Sequence, residues 1–151
     1  MHAGLSTLGA CHTGRVGRVI EGMEAQTRMK ILAFILAAMM AANGVYMFVD
    51  PPGWYAAVPG VPDTGPLNLH FVRDIGIAYV TAGVALAWSA LGAGWRASAL
   101  AALFIGGHSL LHSGETAMGH HHDVILNELI AVHLPAVLAV VVSAFQKRSM
   151  T

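Results

Sequence analysis

The chain has 151 residues, 56% of them hydrophobic and only 11% charged, and its formal net charge is zero. Soluble domains carry about 25% charged residues, so this composition excludes an ordinary water-facing globule and places the chain in a bilayer. Eight Lys and Arg, scattered along the sequence, form no basic stripe for a nucleic-acid partner, and the single cysteine, Cys11, excludes an internal disulfide or a thiolate metal cluster.

Residues 1–28 show no sustained apolar period and contain Gly4, Gly9, Gly14 and Gly17. The expectation there is a mobile N-terminal cytoplasmic arm, or sequence upstream of a start at Met29. Residues 29–148 read as one transmembrane domain. A helix needs about 20 residues to cross the hydrocarbon core, and in lipid it must satisfy its own backbone hydrogen bonds. Four apolar segments, at about 31–49, 69–91, 97–112 and 124–145, the third being the shortest, predict an all-α integral membrane four-helix bundle. The first segment runs through Tyr46 to Val49 with no polar cleavage region, so it reads as a retained helix and not a signal peptide. Met39, Met40 and Met47 within it read as packing residues.

Between the first two helices, Pro51, Pro52, Gly53, Pro59, Gly60, Pro62, Gly65 and Pro66 forbid a long helix and predict a stiff series of turns capping the bundle. Trp54 and Tyr55 there suit the headgroup level. Small residues Gly76, Ala82 and Gly83 in helix two, with Gly106 and Gly107 in helix three, predict close helix approach. Orientation follows from Lys and Arg being held in the cytoplasm. Arg15, Arg18, Arg28, Lys30, Arg96, Lys147 and Arg148 all fall on one side of the expected helices, which puts both termini in the cytoplasm, as in a bacterial inner membrane.

The unusual polar residues fall on the opposite side. His70, Arg73 and Asp74 open helix two, and His108 and His112 lie late in helix three. His120, His121, His122 and Asp123 precede helix four, and Glu128 and His133 lie in its first half. Seven of the nine histidines thus share one leaflet, where ionisable groups are costly enough to make function the default hypothesis. His70 and Asp74 are four apart, as are His108 and His112, so each pair projects from one helix face. Pro135 clashes with the carbonyl of Ala131, which predicts a kink that turns His133 inward.

Neutral imidazoles and carboxylates suit zinc, copper or iron. The expected metal site is His108, His112 and His133, with His70 or Asp74 as a further ligand. His120, His121, His122 and Asp123 would serve as auxiliary metal capture, and Arg73 would form a structural ion pair with Asp74 or Glu128. The plainer counterpart is a set of interfacial histidines with one solvated nitrogen each, and an HHHD run that is a solvated loop. No G-x-S-x-G elbow surrounds Ser109 or Ser113, which disfavours a nucleophilic hydrolase.

The stretch "DPPGWYAAVPGVPDTGPLNLHFVRDIGIAYVTAG", Asp50 to Gly83, resembles small four-helix inner-membrane proteins of bacteria and, more distantly, the DoxX-like group. That resemblance covers about residues 30–145 and implies the fold; some DoxX-like proteins are tied to oxidoreductase systems. Three readings stay open. One is a periplasm-facing transition-metal site in metal handling or a redox system. Another is a haem b cytochrome ligated by His108 or His112 with His133. The last is an accessory subunit of a larger membrane complex, or a homo-oligomer, whose polar cluster is a structural clamp.

Overall fold

The computed structural model describes residues 5–119 and 125–149, with side chains from residue 17 onward. Among these residues the chain is all helix. Helix α1 runs Leu5–Val49, α2 Pro51–Ala57, α3 Leu69–Trp88, α4 Trp95–Ala117, α5 Ile125–Glu128 and α6 Leu134–Arg148. Three stretches are long and apolar enough to cross a membrane: residues Gly17–Val49, Leu69–Ala93 and Ile125–Arg148. Helix α4 has the length, at 23 residues, but its glycines, serines and histidines dilute its apolar character. The residues expected to form an arm lie, from Leu5 onward, in α1, which continues into the first apolar segment without a break.

The helices form a ring in which α1 packs on α3, α3 on α4, α4 on α6, and α6 returns to α1. The core between them is built largely of small residues, including Ala33, Ala37, Ala82, Ala90, Ala101, Ala102, Ala136 and Ala139, around Leu36, Leu86 and Val142. Large apolar side chains point the other way: Phe34, Ile35, Phe48, Ile77, Leu100, Leu103, Val137 and Val140 are exposed on the outer surface.

The closest approach is between α1 and α3. A Cβ on Gly44 would overlap the Gly76 carbonyl oxygen and come within 2.9 Å of the Tyr79 Cβ, and a Cβ on Gly83 would lie 2.8 Å from the Ala37 oxygen. The backbones meet directly because the side chains are absent. The sequence reading placed Gly76 and Gly83 correctly in this role. Gly106 and Gly107 do not share it, for a Cβ at either would meet nothing within 4 Å. Met40 and Met47 pack inside, and Met39 faces outward.

At the end of α1 the Pro-rich connection folds back as a cap. Asp50 accepts the Gly53 amide at 3.0 Å, and Pro51 and Pro52 occupy the first turn of α2, where a missing N–H costs nothing. The Trp54 indole donates to Asn43 Oδ1 at 3.0 Å, and the Tyr55 hydroxyl donates to the Gly65 carbonyl at 2.6 Å. The first bond ties the cap to α1, and the second closes the connection on itself. On the other side, Gly92 (φ 114°) and Gly94 (φ 84°) make the reversal from α3 into α4.

Two boundaries differ from the sequence reading. Helix α4 runs on past His112 to Ala117, because Ser113 and Thr116 keep their hydroxyls bonded, the first to the Ser109 carbonyl and the second across to Glu128. The kink expected from Pro135 is a π turn over Leu129–His133, in which the Leu134 amide bonds back to Leu129. Proline's missing N–H removes the normal partner of Ala131, and the ladder widens by one residue.

Gly44→Ala should lower the thermal midpoint by an amount equivalent to about 1–3 kcal/mol, the usual cost of overpacking. Gly106→Ala should be neutral or slightly stabilising, because its site is open and alanine is the better helix former. Thermal unfolding of the two variants in one detergent measures the contrast.

Candidate functional site

Helix α3 enters the site through Tyr79, whose Cβ rests against Gly44 and whose ring turns toward α4. There it meets Phe104 edge-on at 5.2 Å between centroids and His108 at 5.7 Å. Four residues on, one helical turn away, the His112 ring lies edge-on to His108 at 4.7 Å. His112 Nδ1 is 3.1 Å from Glu128 Oε1 at the end of α5, and the Thr116 hydroxyl donates to Glu128 Oε2 at 3.0 Å. Tyr79, His108, His112 and Glu128 thus form a continuous line across three helices.

Glu128 is the only buried carboxylate among the described residues, at 7% exposure. Burial of a charged group without partners is costly, and both oxygens here accept a hydrogen bond from α4. The sequence reading offered Arg73 either Asp74 or Glu128; among the described residues no ion pair joins Arg73 to either.

Arg73 Nε donates to the Phe48 carbonyl at 3.3 Å. Four residues after Phe48 stands Pro52, which has no N–H to give that carbonyl, so a cation at the negative end of α1 takes its place. Asp74 is engaged by His70, with Nε2 to Oδ2 at 3.3 Å, on an exposed turn of α3. That pair adds little stability in a solvent-accessible position. Asp74 lies five residues and His70 nine residues before Tyr79, roughly 7.5 and 13.5 Å along the helix, and among the described residues neither is bonded to the line.

His133 follows a separate path. The π turn aims its Nδ1 at the Ser109 hydroxyl, 2.7 Å away, one residue past His108 and about 100° around α4. The inward aim expected from Pro135 is present, with a serine as its object. Among the described residues no three His, Cys, Asp or Glu side chains converge as a metal-ligand group. Of the three histidines expected to share a centre, His108 and His112 lie side by side with Glu128 against His112, and His133 is engaged by Ser109. His120, His121, His122 and Asp123 lie outside the described residues.

Three contributors were missed from sequence: Tyr79, Ser109 and Thr116. Thr116 carries a readable signal, since it stands four after His112 and so shares its face. Tyr79 carries a weaker one, as the single polar ring in the middle of its apolar helix.

In double-mutant cycles, His112→Ala with Glu128→Ala should show a coupling of about 0.6–1.7 kcal/mol, the range for interhelical hydrogen bonds in membrane bundles. Arg73→Ala with Glu128→Ala should be additive within about 0.5 kcal/mol, as expected for residues with no shared partner. Denaturation of the purified variants gives both numbers, and coupling in the second cycle would contradict the assigned partners.

Compared with family models, with curated proteins and with solved structures, the chain finds no match.

Proposed function

We propose that the protein is a four-helix bundle of a bacterial inner membrane, with both termini cytoplasmic, that binds a first-row transition ion on His108 and His112 in metal handling or in a redox system. The membrane part is supported by the inverted packing: alanines inside, large apolar side chains outside. Lipid tails solvate such an exterior, while close packing of small residues holds the interior together. Helix α4 is the fourth span in this reading, covered on its polar face by α3 and α6. The DoxX-like resemblance of Asp50 to Gly83 points to the same fold.

The metal part is carried by one observation, the contact of His112 Nδ1 with Glu128. In the tautomer that donates Nδ1–H to the carboxylate, Nε2 presents its lone pair outward, and carboxylates hold metal-binding histidines in this way. The neighbouring His108 ring, 4.7 Å away, forms no hydrogen bond among the described residues and supplies the second imidazole. Two protein ligands leave coordination positions to water. Such a site exchanges its ion readily, which suits transfer better than a permanent structural centre. A haem between α4 and α6 fits less well, because the Ser109–His133 contact joins those helices where a macrocycle would part them.

Chelator-treated protein titrated with Zn²⁺ or Co²⁺ tests the site, followed by calorimetry and by the visible bands of cobalt. His108→Ala and His112→Ala should each abolish binding, and Glu128→Gln should weaken it about 10–100-fold. His70→Ala and His133→Ala should retain it. The same titration with His120, His121 and His122 all changed to serine separates capture by that loop from the helix site. Unchanged binding in His108→Ala would overturn the assignment, and a Soret band in the purified protein would move it to haem.

Reporter fusions after Thr64, Gly94, Met118 and Met150 should read outside, inside, outside and inside. Any other order would reject the fourth span or the orientation.

A further inference from the structure

At the end of the bundle remote from the histidines, α4 begins with Trp95 and Arg96, and α6 ends with Lys147 and Arg148. The Arg96 guanidinium carbon lies 5.2 Å from the Trp95 ring centroid, and the Lys147 ammonium lies 5.1 Å from the same centroid. Two cations from residues 51 apart in sequence thus share one indole. They are no more than about 10 Å apart, within reach of mutual repulsion at low screening. A ring face offsets about 0.5–1 kcal/mol per cation at an exposed site and offers no hydrogen-bond acceptor. Among the described residues neither cation has a carboxylate within ion-pair distance.

The platform under them is fixed. Ser98, fully buried, bonds to Gln146 Oε1 at 2.7 Å and to the Trp95 carbonyl at 2.9 Å, and Gln146 Nε2 donates to Ser89 at 3.3 Å. This chain locks the start of α4 to the end of α6 and to the turn after α3. The Trp95 backbone is therefore held in place, and Arg96 and Lys147 each lie beside its ring with no carboxylate among the described residues within ion-pair distance. Indole rings sit at headgroup depth in a bilayer. The group that meets two cations and an indole at that depth is a phosphodiester.

We propose that Trp95, Arg96 and Lys147 bind the phosphodiester head group of an anionic phospholipid. This rests on the membrane reading above and is independent of the metal site. Arg, with its planar fork, takes two phosphate oxygens, Lys adds a point charge, and the indole borders the glycerol region. The bound lipid then bridges α4 and α6 at the end where the Ser98–Gln146 bond already joins them.

Native mass spectrometry of the full chain in detergent tests this, with dioleoyl phosphatidylglycerol, dioleoyl phosphatidylcholine and inorganic phosphate as probes. Phosphatidylglycerol should bind roughly tenfold or more tightly than phosphatidylcholine, with one site dominant. Arg96→Gln with Lys147→Gln should reduce it to the phosphatidylcholine level, and each single change should give a partial fall. Arg18→Gln with Arg28→Gln removes the same net charge elsewhere and should leave the preference intact. Millimolar inorganic phosphate should not compete. Equal binding of both lipids by the parent, or a preference surviving in the Arg96 and Lys147 variant, would overturn the proposal while leaving the membrane reading standing. Competition by inorganic phosphate would overturn it in favour of a soluble anion, and failure to associate with either lipid would sink the membrane reading itself.

Discussion

The contact on which the remaining geometry hangs is the backbone approach of α1 and α3 at Gly44, Gly76 and Gly83. No side chain separates the helices there, so their spacing and rotation are set together by hard contacts with carbonyl oxygens. Because the Tyr79 Cβ is seated against Gly44, that rotation decides where the tyrosine ring goes. Its edge-on contacts with Phe104 and His108 then fix the face that α4 turns inward. Through α4, the same contact places His112 opposite Glu128. A methyl group at residue 44 therefore acts on the histidines from the far side of the bundle, by moving a ring and not by touching the site.

The other pair of helices is held differently. Helices α4 and α6, with the turn leading into α6, are joined by polar bonds: Ser98 to Gln146 at one end, and Ser109 to His133 and Glu128 to His112 and Thr116 at the other. In the proposed membrane placement, hydrophobic burial does not drive helices together, so each such bond matters for association as well as for orientation. The two devices divide the work. Glycines give α1–α3 a contact between backbones, whereas α4 and α6 meet through hydrogen-bonding side chains.

Much of this was legible in the sequence, and the reasons differ by feature. The three long apolar runs, the proline-rich cap and the effect of Pro135 rest on local chemistry, so residue identity alone locates them. The start of α1 was not legible, because glycines at 4, 9, 14 and 17 read as breaks, yet a helix continuing from a long apolar segment needs no new nucleus. Gly106 and Gly107 illustrate the opposite limit. Composition says that small residues permit close approach, but only packing says which of them is approached. The partner of Arg73 was hidden for a similar reason. Charge complementarity suggested Arg73 with Glu128, while the stronger demand on Arg73 was a carbonyl deprived of its donor by a proline four residues away. Counting orphaned carbonyls ahead of prolines would have found it.

The histidines show how a ligand count misleads when neighbours on the helix are ignored. A shared leaflet suggested that His108 and His133 address one centre, but the leaflet fixes one coordinate of three. Ser109, adjacent to His108 and a third of a turn around α4, intercepts His133 first. His112 is in turn drawn to Glu128, since a buried carboxylate has more to gain from an imidazole N–H than a second histidine has. What remains is His108, flanked by rings at 4.7 and 5.7 Å and bound by neither. The partnered groups around it are engaged by their own hydrogen bonds, so among the described residues at this end of the bundle the ion proposed above would meet that imidazole and the far nitrogen of the next.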